Sequence, residues 1–129
     1  MRNKTVLLAV ATILLFSACK QRSEGDKNVI DKPNIEIKDG KLSPEALWSF
    51  GRIGDVSVSP DGKKVLYTLT YYSISENKGN AEIYTMNTDG SDVKRLTTTA
   101  SSEWNVIWNP KGDKIGFIYA DESGVNIYE

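Results

Sequence analysis

Apolar and polar residues alternate along most of the chain beyond residue 51. Val56 and Val58 are separated by Ser57 and followed by Ser59, the two-residue period of a half-buried strand. Ser59-Pro60-Asp61-Gly62 then places proline second and glycine fourth, which is the chemistry of a type I turn closing a hairpin. Residues 65–72 form a longer run rich in β-branched and aromatic side chains, as strands prefer. Residues 74–80 read as a loop and 81–86 as a third strand. Asn87-Thr88-Asp89-Gly90 turns the chain again, and 93–97 reads as a short fourth strand. A polar run over 98–102 leads to Trp104-Asn105-Val106-Ile107-Trp108, and the series starts over. Asn109-Pro110-Lys111-Gly112 repeats the turn, 114–119 the long strand, and 121–124 turns into a strand at 125–128.

Pro60 and Pro110 lie 50 positions apart, whereas Ile83 and Ile127 lie 44 apart. The difference falls around Asn77-Lys78-Gly79, where a longer hairpin loop in the first copy is expected, since repeats tolerate insertion in loops. Four strands in 40–50 residues is the arithmetic of a β-propeller blade. The expected fold class is therefore all-β, a partial β-propeller over 52–129 made of about one and a half four-stranded blades. Blade 1 covers 52–98 and a partial blade 2 covers 103–129. A propeller closes with at least about four blades, so the sequence is expected to be a truncated piece of a longer protein. The Gly-His and Trp-Asp pairs of the WD class do not occur, which points to a different propeller family.

Ahead of the repeats, Leu42-Ser43-Pro44-Glu45-Ala46-Leu47-Trp48-Ser49-Phe50-Gly51 predicts one short helix over 42–51. Ser43 suits the N-cap, Pro44 the first helical position, Glu45 the positive end of the dipole and Gly51 the C-terminal stop. Leu47, Trp48 and Phe50 give it an apolar side that must dock, either on the following sheet or on a partner domain. Residues 19–41 are polar and broken by Gly25, Pro33 and Gly40, the composition of a disordered tether.

The chain begins differently. Arg2 and Lys4 precede an uncharged run over 6–16, shorter than the roughly 20 residues that span a bilayer and therefore an export signal. Leu15-Phe16-Ser17-Ala18-Cys19 resembles the bacterial lipobox, with Phe16 where leucine is usual. That resemblance implies a lipoprotein signal peptide over 1–18, lipidation of Cys19, and export to an anchor in the cell envelope. Without an acidic run after Cys19 the anchor is expected to face the periplasm. An ordinary secretory signal cleaved near Ala18 is the alternative.

Composition narrows the chemistry. With no histidine, the chain holds no Ser-His-Asp or Cys-His unit and no His-ligated metal site. Its single cysteine excludes an internal disulfide. A formal net charge of −1 gives no electrostatic footprint for nucleic acid. Asn87, Asp89, Ser91 and Asp92 suggest a calcium loop, but the glycine is misplaced and no glutamate follows at the twelfth position, so a plain turn is preferred. No metal or other cofactor is expected. Trp104 and Trp108, four apart on a strand, would share a face, as blade-to-blade core or as a stacking platform. Lys63-Lys64 and Lys94-Arg95 read as solvated edges.

Residues 42–73 resemble the opening of exported dipeptidyl- and acylaminoacyl-type serine peptidases of the prolyl oligopeptidase family. The likeness rests on the helix with Leu47-Trp48, the Gly51-Arg52-Ile53-Gly54 link, the Ser-Pro-Asp-Gly turn and Tyr71-Tyr72-Ser73. Residues 81–128 resemble that family's later blade pattern, with Asn109 and Lys111 replacing the more usual Ser and Asp of the turn. The resemblance implies a propeller of about seven or eight blades gating an α/β-hydrolase domain that admits short peptides. That domain would supply a Gly-x-Ser-x-Gly elbow, an aspartate and a histidine. The chain has neither that elbow nor a histidine, so no catalytic residue is expected here, and the hydrolase domain would be its missing C-terminal partner. Some relatives bind the substrate's amino terminus with propeller glutamates, a role that nothing assigns among Glu76, Glu82 and Glu103. The other function class is a non-enzymatic lipoprotein whose Tol-associated-type propeller is a protein-binding scaffold. The opening over 42–73 favours the peptidase.

Overall fold

The structure, a computed structural model, describes residues 29–121 and 123–129. The export signal and Cys19 lie outside these residues. Residues 29–41 have irregular backbone. They lead into α1 (Pro44–Ser49) and seven strands: β1 (Arg52–Val58), β2 (Lys64–Ser73), β3 (Lys78–Asn87), β4 (Lys94–Arg95), β5 (Glu103–Trp108), β6 (Ile115–Asp121) and β7 (Gly124–Tyr128). They form two antiparallel sheets in sequence order, β1-β2-β3-β4 and β5-β6-β7.

The helix starts where its sequence directs: Ser43 Oγ accepts the Ala46 N–H at 3.1 Å, and proline opens the first turn. Its end differs from expectation. Phe50 caps it in extended conformation, φ −71° and ψ 132°, and Gly51 takes no left-handed turn. Gly51 instead lies against β2, where an added Cβ would come within 2.8 Å of Leu69 Cδ1.

The two proline turns are built alike. Gly62 N–H donates to Ser59 O at 2.8 Å and Gly112 N–H to Asn109 O at 3.0 Å, with left-handed glycines at φ +73° and +74°. Ser59 Oγ accepts the Lys64 N–H at 2.9 Å, and Asn109 Oδ1 accepts the equivalent Lys114 N–H at 3.2 Å. The second turn stacks on the first: a Cβ on Gly112 would sit 3.2 Å from Pro60 Cδ.

The extra residues of the first copy do not form a loop. They lengthen the β2–β3 ladder, which stays in register from Lys64↔Asn87 to Ser73↔Lys78. Only residues 74–77 turn, and Gly79 makes room for the Tyr72 ring. β4 is shorter than expected because Thr97 substitutes its side chain for backbone, its Oγ1 accepting the Ile83 N–H at 2.9 Å.

Leu66, Ile83 and Val106 form the core, with Trp108, Ile115 and Phe117 packed against them. β5 is the strand of the second sheet that crosses β1, β2 and β3. By register, Ser57 of β1 shares the covered face with Leu66. Val56 and Val58 face the other way and are 60% and 56% exposed. The period of two is as expected, but these valines do not point into the core of this chain. Val56 joins a shallow apolar groove of about 260 Å³ with Ile53, Val65, Tyr67, Leu69 and Met86 on the far side of the sheet.

Candidate functional site

At the tip end of the β2–β3 hairpin, Trp48 of α1 meets Tyr72 edge-on, ring centroids 5.3 Å apart. The Arg52 guanidinium lies 4.6 Å from the Trp48 centroid and 4.9 Å from that of Tyr72, a cation–π arrangement that fixes both rings. Together these residues dock the helix on its own sheet. A groove of about 480 Å³ opens beside them, walled by Val29, Ile30 and Pro33 on one side and by residues 72–76 on the other. Glu45 and Glu76 stand at its rim. The Glu45 carboxyl is held below its ordinary range by its own backbone N–H and by Ser43. The groove offers aromatic and apolar contact with acidic edges.

The second polar constellation is buried. Glu82 and Glu103 are 2% and 0% exposed, although carboxylates seldom enter a core. Glu82 Oε1 accepts Asn80 Nδ2 at 3.1 Å and the Thr99 N–H at 3.0 Å. Arg95 Nη2 stands 3.0 Å from the same oxygen, but its N–H is not aligned as a hydrogen-bond donor, so this contact is chiefly an ion pair. The other amine of Arg95 reaches Asp31 Oδ1 at 2.6 Å, tying the segment before the helix to the edge strand. Burial alone would lower the guanidinium's pKa, but the hydrogen bond to Asp31 and the attraction of Glu82 outweigh it and hold it above the ordinary value. Glu103 Oε2 accepts the Thr97 hydroxyl at 2.9 Å, and Oε1 lies against the Thr99 hydroxyl. Burial, opposed by these hydroxyls and aided by Glu82, pushes the Glu103 carboxyl up.

These positions bear on the three glutamates named from sequence. Glu82 and Glu103 are enclosed at the crossing of the two sheets, while Glu76 is exposed on the hairpin turn. The structure does not bring the three together. Sequence reasoning misses the link between Glu82, Arg95 and Asp31. Its one visible signal is a glutamate, opposite Leu69, as the single charge between Val65↔Met86 and Tyr72↔Gly79 in the ladder.

The tryptophans also depart from expectation. Trp104 pairs with Ile118 and Trp108 with Ile115, so they lie on opposite faces. The register shift between Trp104 and Ile107 is a bulge in which Asn105 adopts φ +54°, and it reverses the alternation. Trp108 packs on the core and donates Nε1–H to Ser57 O at 3.2 Å. No two-tryptophan platform forms.

The turn over 87–92, with its calcium-like run of polar residues, spends its polar groups internally. Asn87 Nδ2 donates to Ser91 Oγ at 2.9 Å and the Ser91 N–H to Asp89 Oδ1 at 2.9 Å, while Asp92 pairs with Lys94 at 3.0 Å. Among the described residues, no group of three or more acidic, Cys or His side chains could hold a metal. No described helix is long and apolar enough to cross a membrane.

No protein-family model matches the chain. It is 30% identical over 122 residues to Dipeptidyl-peptidase 5 of Porphyromonas gingivalis, covering 95% of this chain and 16% of that protein. Dipeptidyl-peptidase 5 of Porphyromonas endodontalis is 27% identical over 125 residues, 97% of this chain and 18% of its own length. An uncharacterized peptidase of Bacillus subtilis, YuxL, is 31% identical over 85 residues, 64% of this chain and 12% of that protein. The chain is thus similar in sequence to proteins named as peptidases, and spans under a fifth of the length of the two dipeptidyl-peptidases.

Proposed function

We propose that this chain is the N-terminal part of an exported serine peptidase of the prolyl oligopeptidase family, cut within a β-propeller. In this reading the propeller limits access to short peptides, and a separate α/β-hydrolase domain performs acyl transfer to serine and then to water. Cys19 carries a lipid that anchors the protein to the cell envelope on its periplasmic side.

The observation that supports this reading most is the extent of the similarity. A match of 122 residues in a chain of 129 must run through both sheets, so it is not a short shared turn. The structure agrees at a coarser level, with two antiparallel meanders repeating one proline turn and one bulged first strand. The chain's own contribution is a scaffold. It positions, encloses and excludes, and leaves bond cleavage to residues elsewhere.

The test is made on the complete protein encoded by the uninterrupted reading frame. It is expected to react with a fluorophosphonate probe at a serine within Gly-x-Ser-x-Gly and to release chromophore from dipeptidyl substrates. Radiolabelled fatty acid should be incorporated, and Cys19→Ser should abolish that incorporation. A complete protein lacking the motif, the label and the hydrolysis would leave the scaffold lipoprotein as the better account. Loss of lipid labelling alone would remove only the anchor.

A further inference from the structure

Around Glu103 and Thr99, the hydrogen bonds close only with one extra proton. Thr99 Oγ1 lies 2.6 Å from Ser101 O and also against Glu103 Oε1. A hydroxyl carries one proton. A carbonyl oxygen and an ionised carboxylate both only accept, so with Glu103 ionised one of the two contacts would join acceptor to acceptor. Thr97 resolves nothing, since its hydroxyl proton already goes to Glu103 Oε2 while its oxygen accepts from Ile83.

We infer that Glu103 is held as a neutral carboxylic acid, its Oε1–H donating to Thr99 Oγ1, and that this proton fastens the 96–102 connection between the two sheets. The contacts of Glu103 with the two threonines then balance. Glu103 donates to Thr99, Thr99 donates to Ser101, and Thr97 donates to the carbonyl oxygen of Glu103.

The surrounding charges favour the neutral form. Glu82 on β3 is the acid nearest in effect. Arg95 on β4, the cation paired with Glu82, is shared between Glu82 at 3.0 Å and Asp31 at 2.6 Å. Tyr119 on β6 stands opposite Glu103. The connection itself contributes Thr97, Thr99, Ser101 and Ser102 and no charge. On β2 the register places Leu66 and Thr68 on the covered face, and on β1 Asp55 is engaged with the Asn105 N–H. Among the described residues no cation pairs with Glu103. Ionising it would put a second negative charge beside Glu82 and break the donation to Thr99.

The sign of the pH effect follows. A carboxyl raised on folding stabilises the fold fully below its unfolded value, and that stability is lost as pH rises through the folded value. The window therefore opens near 4.5, the ordinary glutamate value, and runs upward. Asp61, Asp89 and Asp121 are lowered by hydrogen bonds to Ser59, Ser91 and Ser123 respectively. They give the opposite slope below about pH 4, so the two effects do not overlap.

The experiment is a carboxyl ¹³C NMR titration of the full chain labelled at glutamate, with thermal unfolding of wild type and Glu103→Gln across the same pH range. One glutamate should stay protonated above the pH at which the others ionise, and its signal should vanish in Glu103→Gln. The wild-type midpoint should fall as pH rises from the ordinary glutamate value through the raised one, and the glutamine, a neutral donor of the same shape, should at least halve that fall. If every wild-type glutamate titrates at its ordinary value, the inference is wrong. That titration needs no variant, so a Glu103→Gln protein that fails to fold leaves the test intact.

Discussion

Truncating Leu66 to alanine tests which face of the first sheet is the inner one. Leu66 is fully buried between Ile83 and Val106 and sits on β2, paired on both sides by β1 and β3. Removing about three carbon groups at ~0.8 kcal/mol each costs about 2.4 kcal/mol in transfer. The flanking ladders restrain collapse, so a cavity contribution raises the expected loss to about 3 kcal/mol, within the range seen for leucine-to-alanine changes. Val56→Ala provides the contrast. Val56 is 60% exposed, so losing its two methyl groups should cost about 0.5 kcal/mol. Urea unfolding followed by tryptophan fluorescence reads both, with unchanged m-values showing that stability alone has shifted. A Val56→Ala loss equal to or larger than that of Leu66→Ala would place the core on the opposite face and refute the packing described here.

Two further predictions concern the bulge and the ion pair. Asn105 holds φ +54°, so Asn105→Gly should be nearly neutral, whereas Asn105→Val should cost about 1–2 kcal/mol of backbone strain and shift the emission of Trp108 as the β5 register slips. Arg95→Met leaves Glu82 buried without its cation and should cost about 3 kcal/mol. Adding Glu82→Gln should recover a substantial part of that loss, and additive effects in this double-mutant cycle would show that the pair does not interact.

Much of the topology is legible in the sequence because turns and caps act locally. Ser59-Pro60-Asp61-Gly62 and its copy specify two hairpins through the φ preferences of proline and glycine, and Ser43 with Pro44 fixes the start of the helix. Side-chain facing is a different matter. The step from Trp104 to Trp108 looks even, but the bulge at Asn105 inserts one residue and turns the later tryptophan inward. That information lies in the register with β6. The Glu82–Arg95 contact is illegible for a related reason. Each residue alone reads as a solvated charge, and only the folding of the 96–102 connection over β3 encloses them.

The alternation on β2 bears on the proposed function. Leu66 lies under the second sheet, yet Val65, Tyr67 and Leu69 on the opposite face are also large and apolar. A strand apolar on both sides is the mark of a sheet covered on both. Among the described residues only one face is covered, and the other is an open groove rimmed by Ile53, Val56 and Met86. The second sheet repeats the situation, with Ile107, Val125 and Ile127 exposed at 60%, 66% and 83%. Contiguous apolar surface of this kind marks a face that contacts something further, whether protein, membrane or ligand. Two sheets, each needing a neighbour on the face away from the other, are what a stack of repeating blades requires. The physical chemistry of these strands thus leans toward the propeller reading independently of sequence similarity.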